Sequence, residues 1–158
     1  MGGGIATVLA TAGYNVILKE INDGFLQSGL ARIDSNLSGA VKRGKLSPAE
    51  KAAILARVTG TLTYDSFKTA DMVIEAVIEN VELKQRIFAD LEAACRPDCI
   101  LSSNTSTIDL NVVGAKTRAA ERIVGAHFFS PAHIMPLLEI VRTEHTSPQV
   151  SSFLSSAT

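Results

Sequence analysis

The sequence predicts an α/β protein built on a doubly wound, mostly parallel sheet, and three observations carry that prediction. Short apolar runs such as Met72-Val73-Ile74 and Ile100-Leu101 lack the in-and-out alternation of a half-exposed strand, so both faces of these strands are covered. Stretches with apolar residues at helical spacing lie between them. The chain also opens on "MGGGIATVLATAGYNVILKE", which reads as glycine turn, helix, turn, strand and acidic residue.

Taken in order, residues 4–11 form the first helix and residues 15–19 a buried strand. Phe25, Leu26, Leu30, Ile33, Leu37 and Val41 recur at helical spacing and predict a long helix over residues 23–43, stopped by Gly44. Ser47-Pro48-Ala49-Glu50 is a helix start, with Ser as N-cap, Pro at the first helical position and Glu closing a capping box. That helix runs to about Arg57, and residues 58–63 are short and β-rich. Residues 71–77 are a buried strand. Leu83, Ile87, Phe88, Leu91 and Ala94 mark a helix ending before Pro97. A strand over 99–103, a short helix over 111–116 and a strand over 122–128 follow. Pro131 and Pro136 punctuate a loop before the last strand, residues 137–142. Residues 1–146 are thus expected to form one domain. Residues 147–158, rich in Ser and Thr, are expected to be a poorly ordered, frayed or weakly helical tail.

Composition narrows the function. A chain of 158 residues, 46% hydrophobic, suffices for one domain with a core. A net charge of -1 gives no electrostatic pull toward nucleic acid or a membrane surface. The apolar stretch from Ile5 to Leu18 is interrupted by Gly13 and Asn15 and falls short of the ~20 residues a spanning helix needs. Cys95 and Cys99 cannot close a metal site alone, and the histidines are not spaced as their partners, so they read as reduced thiols and no metal is expected. His133 and His145 read as solvated loop residues.

A glycine cluster leading into a helix, with Glu20 18 residues beyond Gly2, matches the second half of a dinucleotide-binding unit. The helix N-terminus faces phosphates and the acid accepts hydrogen bonds from ribose hydroxyls. In that reading Gly2 is the third glycine, the one that allows close packing of helix on strand. The leading strand, central in such a sheet, is missing between the strand ending at Lys19 and that ending at Val77. A missing central strand leaves two strand edges unpaired.

The segments "VIEAVIENVELK", "SNTST" and "HFFSPAH" resemble the NAD-binding domain of L-3-hydroxyacyl-CoA dehydrogenases. The likeness is strongest to the dehydrogenase part of peroxisomal multifunctional fatty-acid β-oxidation proteins, those of plants especially, and runs from Met1 to about Val150. It implies a Rossmann-type doubly wound sheet lacking its first strand, NAD as cofactor and an L-3-hydroxyacyl-CoA as substrate. It further implies a C-terminal dehydrogenase domain as the absent partner and a peroxisomal location.

Carried over by residue, the resemblance makes His127 the catalytic base, Glu139 the carboxylate that holds its imidazole, and Ser106 a hydrogen-bond partner of the substrate oxygen near the nicotinamide ribose. Gly2 and Glu20 belong to the cofactor loop and the adenosine ribose. Glu79 and Lys84 line the nicotinamide side, and Asn36 and Arg43 fall where relatives contact coenzyme A. Ser130 stands where some relatives have Asn.

The chemistry is coherent, because oxidising an alcohol needs a base that titrates near working pH, and a carboxylate on one imidazole nitrogen fixes its tautomer. Taken alone, His127 reads as a hydrogen-bonded core histidine; Phe128-Phe129 and Pro131 beside it tip the reading to a base. Glu75 reads as a strand-end charge, and the charged residues of 79–86 as an exposed helix face. Two further readings stay open: a non-catalytic truncated fragment or interaction module, and a different dehydrogenase of related topology.

Overall fold

The computed structural model describes the backbone of residues 1–157 and the side chains of residues 1–152. The chain divides into two compact units, residues 1–64 with 130–136, and residues 65–129 with 137–158. Its strands form two sheets, the strand expected to end at Lys19 lying in one and that expected to end at Val77 in the other.

The first unit contains α1 (Gly2–Thr11), β1 (Val16–Lys19), α2 (Asp23–Lys42), α3 (Pro48–Leu55) and β2 (Val58–Thr61). Gly13, at φ 99°, makes the left-handed turn between α1 and β1 that an L side chain would strain. β1 and β2 pair in parallel, Val16 opposite Val58 through Lys19 opposite Thr61. α2 starts where the Asn22 side chain accepts the Phe25 amide at 2.9 Å. α3 starts on the expected capping box, with the Ser47 amide donating to Glu50 at 2.7 Å and the Glu50 amide to the Ser47 hydroxyl at 3.2 Å. Ala6 and Ala10 of α1, Leu18 of β1, Leu26, Ile33 and Leu37 of α2 and Ile54 of α3 form the core. The helical period of α2 thus faces Leu26, Ile33 and Leu37 inward, while Phe25 of the expected stripe is exposed.

In the second unit a 3-10 turn (Asp65–Thr69) leads into β3 (Met72–Glu75), α4 (Val81–Ala94), β4 (Ile100–Ser103), α5 (Leu110–Val113), β5 (Ile123–Phe128), β6 (Leu138–Arg142) and α6 (Pro148–Ala157). The sheet order is β3-β4-β5-β6; the first three strands are parallel, and β6 runs antiparallel to β5. α4 begins two residues before its first periodic apolar position, because the Asn80 side chain accepts the Leu83 amide at 2.9 Å and fixes the start there. Ile100, Val124 and Val150 pack together with Met72 and Ile140. Leu101 and Ile123 alternate to the opposite face and are buried, as are Phe88 and Leu91 of α4 and Val113 of α5.

The segment expected to be a frayed or weakly helical tail contains α6. The Ser147 amide is anchored on the Glu121 carbonyl at 2.7 Å and Pro148 takes the first helical position. Val150, 7% exposed, joins the core. Few apolar anchors sufficed because one of them reaches the sheet. No helix among the described residues is long and apolar enough to cross a membrane.

Candidate active site

β5 carries His127 near its C-terminal end, and the antiparallel register sets it directly opposite Glu139 of β6. Directly opposed residues of such a pair project to the same face. His127 Nδ1 lies 3.2 Å from Glu139 Oε2, and the Phe129 ring packs on the imidazole with centroids 4.6 Å apart. A strand pairing therefore brings together two groups twelve residues apart in the chain, across the proline-bounded loop. With Nδ1–H donating to the carboxylate, Nε2 keeps its lone pair, and among the described residues it has no hydrogen-bond partner. The His127 side chain is one-fifth exposed and that of Glu139 about half exposed, at 20% and 54%.

Gly125, on the same face, permits the close approach of the strands. A Cβ there would stand 3.0 Å from Val141 Cβ and 3.3 Å from Leu110 Cδ1.

The loop after β4 carries Ser106, which is exposed. Its neighbours hold it on both sides. Asn104 Oδ1 accepts the Phe128 amide at 2.8 Å, tying the loop to the residue after His127. Thr105 Oγ1 accepts the amides of Thr107 and Ile108 at 3.3 and 3.1 Å and donates to Glu79 Oε2 at 2.7 Å. Ser106 and Glu139 share the wall of a cavity of about 230 Å³ with Ile108, Leu110 and Val141.

Glu75, expected as a strand-end charge, ends β3 and is buried. It is 4% exposed, and its carboxylate receives Lys84 Nζ at 2.8 and 2.9 Å, the Ser103 hydroxyl at 2.7 Å and the Val77 amide at 2.7 Å. Lys84 itself has 0% exposure, so its ammonium is engaged inside the protein; Glu79, half exposed, stands 3.8 Å from it. The helix face expected to be solvated is thus partly internal. A carboxylate inside the run Met72-Val73-Ile74-Glu75-Ala76-Val77 is itself the signal that could have revealed this, because an ionised group among strand apolars needs a buried partner.

The remaining predicted residues lie in the first unit. A Cβ built on Gly2 meets nothing within 4 Å, whereas one on Gly3 comes to 3.3 Å from Arg32 Cδ. α1 starts at Gly2 without a side-chain cap, which leaves its first amides free for an anionic ligand. Glu20 directly follows β1, its amide bonded to the Thr61 carbonyl at 3.1 Å, and its carboxylate has no partner among the described residues. A bare helix N-terminus and a free carboxylate after the next strand fit a dinucleotide's pyrophosphate and ribose. Asn36 is occupied, donating to Thr7 Oγ1 at 3.1 Å between α2 and α1, while Arg43 is exposed beyond the end of α2.

Burial raises the thiols of both cysteines, that of Cys99 to about 12, so neither is a nucleophile at neutral pH. Among the described residues no group of His, Cys, Asp and Glu could hold a metal ion.

Residues 1–157 match the 3-hydroxyacyl-CoA dehydrogenase, NAD binding domain family. The glyoxysomal fatty acid beta-oxidation multifunctional protein MFP-a of Brassica napus is 59% identical over 150 residues, 95% of this chain and 21% of that protein. The fatty acid oxidation complex subunit alpha of Acinetobacter baylyi is 44% identical over 149 residues, 94% of this chain and 21% of that protein. Among solved structures, (S)-3-hydroxybutyryl-CoA dehydrogenase PaaH1 from Ralstonia eutropha superposes with a TM-score of 0.96 at 38% identity, covering 99% of this chain and 56% of that one. The chain spans about a fifth of the length of the curated relatives it matches. Its fold is the Rossmann-type α/β fold of these dehydrogenases and its cofactor is NAD. By sequence, fold and the spacing of its motifs, the chain belongs to the 3-hydroxyacyl-CoA dehydrogenase NAD-binding domain family.

Proposed function

We propose that this chain is the cofactor-binding part of an NAD-dependent enzyme that oxidises L-3-hydroxyacyl-CoA to 3-oxoacyl-CoA in fatty-acid β-oxidation, with His127 as the base. The observation that supports this most is the His127–Glu139 pair, with Nδ1 engaged at 3.2 Å and Nε2 unengaged. His127 Nε2 takes the proton of the 3-hydroxyl. Glu139 holds the ring and offsets the charge it gains. Ser106 hydrogen-bonds the substrate oxygen. Bound NAD supplies the acceptor for the hydride that leaves C3. Glu20 accepts from the adenosine ribose and Glu79 borders the nicotinamide side, with Lys84 buried behind it at 3.8 Å. Gly2 stands at the uncapped helix start toward the phosphates, while Asn36 of α2 and Arg43, just past its end, take the coenzyme A side.

The half-exposed Glu139 and the exposed Ser106 leave the site open to water, so turnover requires a further domain to cover it. The plant relatives carry glyoxysomal and peroxisomal names, and the peroxisome is the compartment that goes with this function.

Two experiments test the reading. NADH should raise the melting temperature of the 158-residue chain. Exchanged for the matching 150 residues of the Brassica napus protein, the chain should sustain NAD reduction by an L-3-hydroxyacyl-CoA, and His127→Ala should remove it. A hybrid that keeps its rate with His127→Ala refutes the base. A chain indifferent to NADH favours the interaction-module alternative.

A further inference from the structure

The second unit contains a buried ion pair whose carboxylate, that of Glu75, has no part in the chemistry above. Replacing such a pair by apolar side chains is often neutral or stabilising, so burial alone does not account for it. Its place does. Glu75 is the last residue of β3, and each of its carboxylate oxygens bonds to a different segment of the chain. Oε1 receives the Val77 amide at 2.7 Å and orders the turn leaving the strand. Oε2 receives the Ser103 hydroxyl at 2.7 Å and ties the end of β3 to the end of β4. Both oxygens hold Lys84 Nζ, at 2.8 and 2.9 Å, which pins the first turns of α4.

From there the bonding runs to the site. Lys84 faces Glu79 at 3.8 Å, Glu79 accepts from Thr105 at 2.7 Å, and Thr105 Oγ1 closes the turn around Ser106 through the amides of Thr107 and Ile108. The Glu75 carbonyl receives the Asn104 amide at 2.8 Å, and the Asn104 side chain holds the Phe128 amide beside His127.

We infer that Glu75 is a positioning residue of this site: through Lys84 and Asn104 its buried carboxylate and carbonyl set the loop that presents Ser106 and the strand end that presents His127. Glu75 touches neither substrate nor cofactor and acts through these groups. The inference rests on the proposed function only for where its effect is read.

The test is a double-mutant cycle on the full 158-residue chain, with NADH as the probe. Glu75→Gln and Lys84→Met should each weaken NADH about tenfold. The double variant should also weaken it about tenfold rather than a hundredfold, since either change releases the same lock. The double variant should melt above both single ones, which keep an unpaired buried charge. Should a single variant fail to fold, the double variant carries the comparison. Additive losses, or variants that bind NADH as tightly as the parent, overturn the inference.

If the parent chain binds no NADH, the functional reading falls for this chain and amide exchange decides the inference. Glu75→Gln should then speed exchange at Thr107, Ile108 and Phe128 more than at Ile123, at the far end of β5. An equal change at all four refutes it.

Discussion

Gly125→Ala tests whether the His127–Glu139 geometry depends on the close approach of β5 and β6. The added Cβ would lie 3.0 Å from Val141 Cβ, 3.3 Å from Leu110 Cδ1 and 3.4 Å from the Val141 carbonyl oxygen. Carbon atoms in contact prefer about 3.5–4.0 Å, so the first contact is short by about half an ångström or more, and one of its partners is β-carbon and backbone of a paired strand. Overpacking of this kind costs about 1–3 kcal/mol. Restricting the unfolded chain returns about 0.4–1 kcal/mol, because Gly125 has no positive φ that alanine would strain. The net is a loss centred on about 1.3 kcal/mol and at most about 2.6 kcal/mol, the central value being about 3–5 °C in melting temperature for a chain of this length. The strands can relieve the contact only by separating, which also lengthens the 3.2 Å His127–Glu139 bond two residues along. Scanning calorimetry gives the first quantity, and the imidazole resonances of His127 by NMR report the second. A variant that melts at or above the parent, with unchanged His127 resonances, refutes the reasoning.

Two further predictions follow from buried groups. Ser102 Oγ is buried without a hydrogen-bond partner among the described residues, so Ser102→Ala should raise stability by about 1 kcal/mol in a denaturant melt; a loss of that size would mean the hydroxyl is satisfied. Cys99, raised from 9.0 to about 12 by burial first and by Cys95 second, should resist thiol reagents in the native chain. Its folded value lies above its unfolded one, so the stability it contributes is complete below pH 9.0 and is lost as pH rises toward about 12, while the unfolded chain ionises first. Alkaline melts of the parent should therefore fall more steeply over that window than those of Cys99→Ala, and parallel curves would count against it.

Local signals in the chain were enough for much of this protein. Capping at Ser47, apolar periodicity in α2, and covered strands in β3 and β4 are properties of neighbouring residues, and they appear where the sequence places them. The motif residues His127 and Glu139 were legible as chemistry. Their meeting rests on an antiparallel pairing that no local pattern specifies, since β6 reads only as a short strand after a loop.

Other features depended on long-range contacts. Val150 packs against Ile100 and Val124, a contact no local pattern in the Ser- and Thr-rich segment specifies. Strand order and register likewise rest on ladder hydrogen bonds, which are made between segments and not within them. The clearest case is the pair Glu75 and Lys84. Sequence alone determined that these two charges flank a strand end and a helix start. Tertiary structure decided that they face inward, because an ammonium loses its water only where a carboxylate at 2.8 Å replaces it, and that carboxylate arrives from another element.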